Sequence, residues 1–194
     1  MNDTAIHHSL GRVLWDVAAV ENGATSACGL MLATPYLNDV ERRFITERMR
    51  PEEVGHDRLM ARWAREWYGP RPKRPLAYGA LVMKDVLAAA RLDDLGKFAY
   101  TFASVHWNEK NTLRGQAWML ERFRRVSPEM ASDFAQVVGE ESEHVAFGRR
   151  VLARVEREAP MVSRVIERFY QYVETVYPVV VNHAHVQVYK RVLG

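Results

Sequence analysis

Two copies of one pattern, Glu53-Val-Gly-His56 and Glu141-Ser-Glu-His144, stand inside long stretches of helical periodicity, and each is preceded by another glutamate at the same distance. Glu21 lies 32 residues before Glu53, and Glu109 lies 32 residues before Glu141. On a helix, positions three apart share a face, so each Glu-x-x-His aims a carboxylate and an imidazole at a common point. The pattern alone is common, since 16 glutamates and 7 histidines in 194 residues give about 0.6 such pairs by chance. Its weight comes from where the residues sit.

They sit in the apolar seams. The seam of the second long helical segment reads Met49, Glu53, His56, Met60, Trp63, Trp67, at alternating spacings of three and four. A later segment reads Met130, Phe134, Val137, Glu141, His144, Gly148, Val151, Val155. Two more seams are each broken by one glutamate: Leu14, Val17, Glu21, Ala24, Cys28, Met31, and Phe98, Phe102, Val105, Glu109, Thr112, Gln116, Met119, Phe123. The competing reading, solvated glutamates on a wrongly assigned face, would have to hold in all four seams at once.

Breakers divide the helical text near Ile6 to Ala33, Tyr36 to Tyr68, Leu76 to Arg91, Asp93 to Arg125, Pro128 to Glu158 and Met161 to Leu193, while strand signals are sparse. The fold class is all-α. Thr34-Pro35 and Ser127-Pro128 each offer a cap followed by proline at the first helical position. Pro51 and Pro178 fall within helical text and are expected to kink or break their helices. If each 32-residue spacing is an antiparallel hairpin with its glutamates at one level, the turns fall near residues 37 and 125, beside the breakers. Each arm is then roughly 24 Å long. One domain spanning residues 1–194 is the expectation for this length and its 48% apolar content.

Charge and cysteine content narrow the setting. A net charge of +3 is mild, and the only basic cluster is the loop Arg71 to Pro75, so nucleic acid is not the expected partner. Cys28 is the sole cysteine, which excludes an intramolecular disulfide and a Cys-rich zinc site. No signal peptide or membrane span is evident, and the expectation is a cytoplasmic protein. Four buried carboxylates and two imidazoles would each cost several kcal/mol if unpartnered, and the four seams hold no lysine or arginine to neutralise them. Two divalent cations would balance the four negative charges. Carboxylate and imidazole ligation without thiolate suits iron or manganese better than calcium.

The order Glu, Glu-x-x-His, Glu, Glu-x-x-His on four helices resembles the ferritin-like di-iron carboxylate superfamily, and the match spans Trp15 to about Arg150. The resemblance implies a ferritin-like four-helix bundle with a helical insertion between its two hairpins and an additional C-terminal helix. It implies two iron ions, or a manganese and iron pair, with Glu53 and Glu141 bridging, Glu21 and Glu109 terminal, and His56 and His144 each on one ion. His106 is then a candidate extra ligand or outer-shell donor. Thr112 is the candidate for orienting a water or an oxygen species, and Ala24, Cys28 and Gln116 are candidate pocket-lining residues. The 56-residue separation of Glu53 and Glu109 is more like the oxygenases of the superfamily than its iron-storage members. The function expected is a di-iron oxygenase or oxidase that uses dioxygen on a small organic substrate, a monomer or homodimer served by an external ferredoxin or reductase. The alternatives are a ferroxidase, iron-storage or peroxide-reducing protein and, because of the basic loop, an RNA-modifying hydroxylase. Glu52 and Glu140, beside the motifs, lie off the seams, and their replacement by alanine is expected to leave metal binding nearly intact.

Overall fold

Ser127 alone separates the two longest helices. Its backbone is extended, its hydroxyl accepts from the Met130 N–H at 3.2 Å, and Pro128 takes the first helical position, as the sequence leads one to expect. The computed structural model describes residues 3–74, 76–188 and 190, with the side chains of residues 3, 112, 114–119 and 122 excepted. Among the described residues there is no strand. The helices are α1 (Asp3–Leu32), α2 (Asp39–Phe44), α3 (Arg50–Tyr68), α4 (Ala77–Ala89), α5 (Asp94–Val126), α6 (Pro128–Glu158) and α7 (Pro160–Val181).

The first turn differs from expectation. Thr34 does not cap a helix: its hydroxyl donates back to the Met31 carbonyl at 2.8 Å, and the cap is Asn38. The Asn38 side chain accepts from the Glu41 N–H at 2.9 Å while Glu41 accepts from the Asn38 N–H at 3.0 Å, a reciprocal box that outcompetes a lone threonine hydroxyl. Glu41 is buried and also receives the Arg154 guanidinium through two bonds of 2.7 Å, which ties the start of α2 to α6. The prolines, too, act differently from simple kinks. Pro51 lies in the first turn of α3, and the turn before it, Ile45–Met49, is π-helical, its widened loop closed by the Arg50 N–H on the Ile45 carbonyl. Pro178 lies inside α7, which runs into a second π turn at Asn182–Val186. In both places a missing N–H sits within a turn of a widened one.

α1 packs along α3, α5 packs along α6, and the contacts of α1 with α5 and of α3 with α6 close a ring of four helices. The pairs run in opposite senses. Leu10, Val13 and Leu14 at the start of α1 share a cluster with Met60, Trp63 and Ala64 towards the end of α3, whereas Met31 shares another with Ile45 and Met49. Likewise Phe123 meets Phe134 with ring centroids 5.1 Å apart, and Phe102 and Val105 join Phe147 and Val151. The ring therefore has one apolar cluster at each end. Glu21, Glu53, His56, Glu109, Glu141 and His144 fall between the two in all four helices.

Outside the ring, α4 lies on α1 and α7 lies on α5, with Tyr78, Val82, Trp107, Val173 and Tyr177 in a third cluster. Its polar groups are paired. Asp16, fully buried on α1, accepts from the Gly79 N–H at 3.1 Å and bonds the His185 ring at 2.7 Å. Gly79 permits this, because a Cβ there would meet the Asp16 carboxylate. The Tyr177 hydroxyl donates to Asp85 at 2.8 Å and lies 2.9 Å from the Ser104 hydroxyl. No helix among the described residues is long and apolar enough to cross a membrane.

Candidate metal centre

The six residues at the waist of the ring are all buried, from Glu53 at 0% exposed to Glu21 at 6%. They fall into two overlapping groups. Glu53, Glu109, Glu141 and His144 bring ligand-type atoms within 4.8 Å of one another, and so do Glu21, His56 and Glu141. Glu53 and Glu141 each face both imidazoles. Glu53 places one oxygen 3.2 Å from His144 Nδ1 and the other 4.0 Å from His56 Nδ1, while the two Glu141 oxygens lie 3.4 Å from each. Glu109 lies 3.6 Å from His144 Nδ1, and Glu21 belongs to the His56 side.

Whether this set fits metal ions can be judged from its partners. Both Glu53 oxygens, Glu141 Oε2 and the Nδ1 atoms of His56 and His144 are buried without a hydrogen-bond partner. Native proteins rarely leave such groups unpaired, and here five of them converge on one point. The donor set, carboxylates and imidazoles without thiolate, suits a hard or borderline divalent cation. Each of the two groups could hold a metal ion.

Protonation follows from the same crowding. Burial, with the Glu53 and Glu141 charges adding to it, holds the Glu21 carboxyl well above the usual range. For His56, burial works against the charged ring, but Glu141, Glu21 and Glu53 outweigh it and carry its pKa to about 10. For His144 burial is likewise outweighed by Glu141 and Glu53, giving about 11. In the metal-free chain, therefore, protons stand in for cations.

Sequence reasoning missed the outer contacts. His56 Nε2 bonds Glu140 Oε2 at 2.7 Å, and His144 Nε2 bonds Glu52 Oε2 at 2.8 Å. Glu52 and Glu140 thus touch the imidazoles from off the seams, a contact that the expectation of nearly intact metal binding in their alanine variants left out. The signal was the glutamate immediately before each Glu-x-x-His. Off the seam on its own helix, each reaches sideways to the imidazole of the opposite hairpin, fixing the ring so that Nδ1 points inward.

His106 joins neither ligand group. Its ring is buried against Phe102 and against Gly148, where a Cβ would run into it, and Nδ1 has no partner. Burial, with Lys110 and Arg149 nearby, lowers its pKa to about 4 and keeps it neutral. It lines a cavity with Met31, Met49, Phe102, Val105 and Phe147, floored by Glu109 and His144. That cavity offers about 10 Å³ to the centre of a water-sized sphere, enough for about one water molecule. Ala24 and Cys28 are not among the residues of this cavity: Cys28 is buried in the apolar cluster with Met31 and Met49, and Ala24 is half-buried. The cavity opens where Gly148 lacks a side chain. The Thr112 and Gln116 side chains lie outside the described residues. His183 is exposed and bonds the Val179 carbonyl, and the Arg71 to Arg74 loop lies by α1, with the Arg12 guanidinium donating to the Arg74 carbonyl at 3.0 Å.

No family model, curated protein or solved structure matches this chain.

Proposed function

We propose that this chain is a non-haem di-iron oxidoreductase of the ferritin-like superfamily, which uses dioxygen to oxidise a small substrate in the ring of α1, α3, α5 and α6. The observation that carries the reading is the pair of carboxylates, Glu53 and Glu141, each facing both orphaned imidazole nitrogens at 3.2–4.0 Å. A carboxylate shared between two imidazole-bearing positions is what a two-metal site requires. Glu21 with His56 would complete one position and Glu109 with His144 the other. Iron suits this donor set, and a manganese and iron pair would bind the same ligands. A bound metal pair would supply the redox change that reduction of dioxygen demands.

The chain's own residues do the rest. Glu52 and Glu140 hold the imidazoles in one orientation, and the apolar clusters at both ends of the ring exclude bulk water. Gly148 and the neutral His106 ring shape an apolar cavity against Glu109 and His144 of a size that suits a diatomic molecule. The sequence carries no flavin, nicotinamide or iron–sulfur motif, so electrons would come from a separate reductase or ferredoxin, or from the substrate. The small volume of that cavity also favours a second reading, a ferroxidase or peroxide-reducing protein, whose substrates are no larger than an ion or a peroxide. Assembly size bears on the storage form of that second reading: a cage of many subunits speaks for iron storage, a monomer or dimer against it.

The test is metal content per chain after anaerobic loading with ferrous iron, with absorption spectra before and after oxygen. Two irons and a new visible or near-ultraviolet band on oxygenation support the reading. One metal per chain, zinc only or none would overturn it.

A further inference from the structure

The waist of the ring poses a transport problem. An apolar cluster of described residues stands at each end of it, and stripping the water from a divalent cation to cross either would cost far more than any apolar gas pays. Among the described residues, two openings border it. One is the water-sized cavity beside Glu109, whose other walls are apolar apart from the His106 and His144 rings. The second is a groove of about 430 Å³ between α3 and α6, the thinnest contact in the ring.

The groove is lined by Glu47, Glu52, Asp133 and Glu140, with Arg48 as the basic residue of its wall and Arg62 pairing with Asp133 from beside it. His56 is part of its wall although the side chain is only 3% exposed, and its Nδ1 is one of the unpartnered atoms of the waist. Glu52 and Glu140 span the two worlds. Glu52 holds Arg48 with one oxygen and His144 with the other, and Glu140 holds Gln136 with one and His56 with the other. Their side chains are 18% and 23% exposed, against 2% or less for Glu53 and Glu141. Arg48 lies across the mouth, 3.1 Å from Glu52 and 2.8 Å from Glu143 on α6.

We propose that this groove is the entry route for divalent cations, with Glu52 and Glu140 as transit ligands that pass the ion to the imidazoles and Arg48 as a strap over the mouth. The inference rests on the metal-centre reading above. A carboxylate that releases its imidazole can take the cation in its place, and the freed ring, keeping its Nε2 proton, can swing Nδ1 outward to receive the ion, so the ion is never without an anionic ligand. The strap occupies the same carboxylate, Glu52, and keeps the groove from standing as an open acidic cleft.

Position 55 makes the test clean. Gly55 lines the groove, and a Cβ there meets nothing within 4 Å, so Gly55→Lys adds a positive charge on the route without a clash. Gly29 on α1, equally free of neighbours at its Cβ, gives Gly29→Lys the same net charge away from the groove. Metal-free protein is mixed with cobalt(II) at low ionic strength, and the growth of the cobalt absorption is followed by stopped flow, then final cobalt content is measured. The expected result is uptake slowed by about tenfold or more in Gly55→Lys, near-parental uptake in Gly29→Lys and equal final content in all three. Arg48→Ala is expected to load faster than the parent, and it carries the test if Gly55→Lys does not fold. Equal rates for Gly55→Lys and the parent, or for Arg48→Ala and the parent, would overturn the entry route while leaving the metal centre intact. If the parent takes up fewer than two cobalt ions at equilibrium, the metal-centre reading fails and the route falls with it.

Discussion

Glu53 and Glu52 are neighbours in sequence with opposite surroundings, one fully buried and facing two imidazole nitrogens, the other partly exposed and holding one imidazole from outside. Their replacements should therefore differ in kind. Glu53→Ala or Glu141→Ala is expected to abolish binding of the metal pair. Glu52→Ala or Glu140→Ala should retain two ions per chain but weaken their affinity by about 10–100-fold, because the freed imidazole loses its orientation. Competition of each variant with a chelator for cobalt distinguishes loss of sites from loss of affinity. The imidazoles also set a pH dependence for the metal-free chain. With folded pKa values of about 10 for His56 and 11 for His144, both above the ordinary value near 6.5, the protonated rings stabilise the fold below about pH 6.5. That contribution is expected to disappear as pH rises towards about 11, and thermal melts of metal-free protein across the range would register it as a falling midpoint. Metal must displace these protons, so metal affinity should rise with pH.

At the level of elements, the box at the start of α2 and the arginine from α6 meet on one carboxylate. Asn38→Ala should cost about 1 kcal/mol through the lost cap, and Arg154→Ala about 2 kcal/mol by leaving the buried Glu41 short of partners. Because both changes act on Glu41, the double variant should depart from the sum of the two, and denaturant melts of all three variants would measure the coupling. Helices were legible in the sequence because apolar residues at spacings of three and four recur through each, and Ser127-Pro128 is a local signal that nothing distant overrides. The true start of α2 was less legible. Thr34-Pro35 looks like a cap in isolation, but Asn38 is reinforced by Glu41 and Arg154, and the last of these is 113 residues from Glu41. The π turns had no signature beyond a nearby proline. Seam position identified the six inner residues, whereas Glu52 and Glu140 act across helices, at sequence separations of 92 and 84 from the rings they hold.

For the molecule as a whole, the third cluster fastens α4 and α7 to the ring through pairs that no local pattern announces, since His185 and Asp16 lie 169 residues apart. Tyr177→Phe removes the hydroxyl that Asp85 and Ser104 share, and the buried carboxylate left short of a donor should cost about 1–3 kcal/mol. Thermal unfolding should show that loss with the metal content unchanged, because this cluster is separate from the waist. The waist carries a different consequence. A shift of 88 positions takes Glu21 to Glu109, Glu53 to Glu141 and His56 to His144, and the same shift turns the Glu52–His144 contact into Glu140–His56. Reciprocity of that form, in which residue i meets j and j meets i, is the mark of an isologous interface. The single chain thus holds within itself the geometry of a symmetric dimer of hairpins, in which each half supplies the anchor for the other's imidazole. One hairpin meeting a copy of itself about a two-fold axis would reproduce the whole ligand set, while one hairpin alone would leave both its ring and its anchor unmatched.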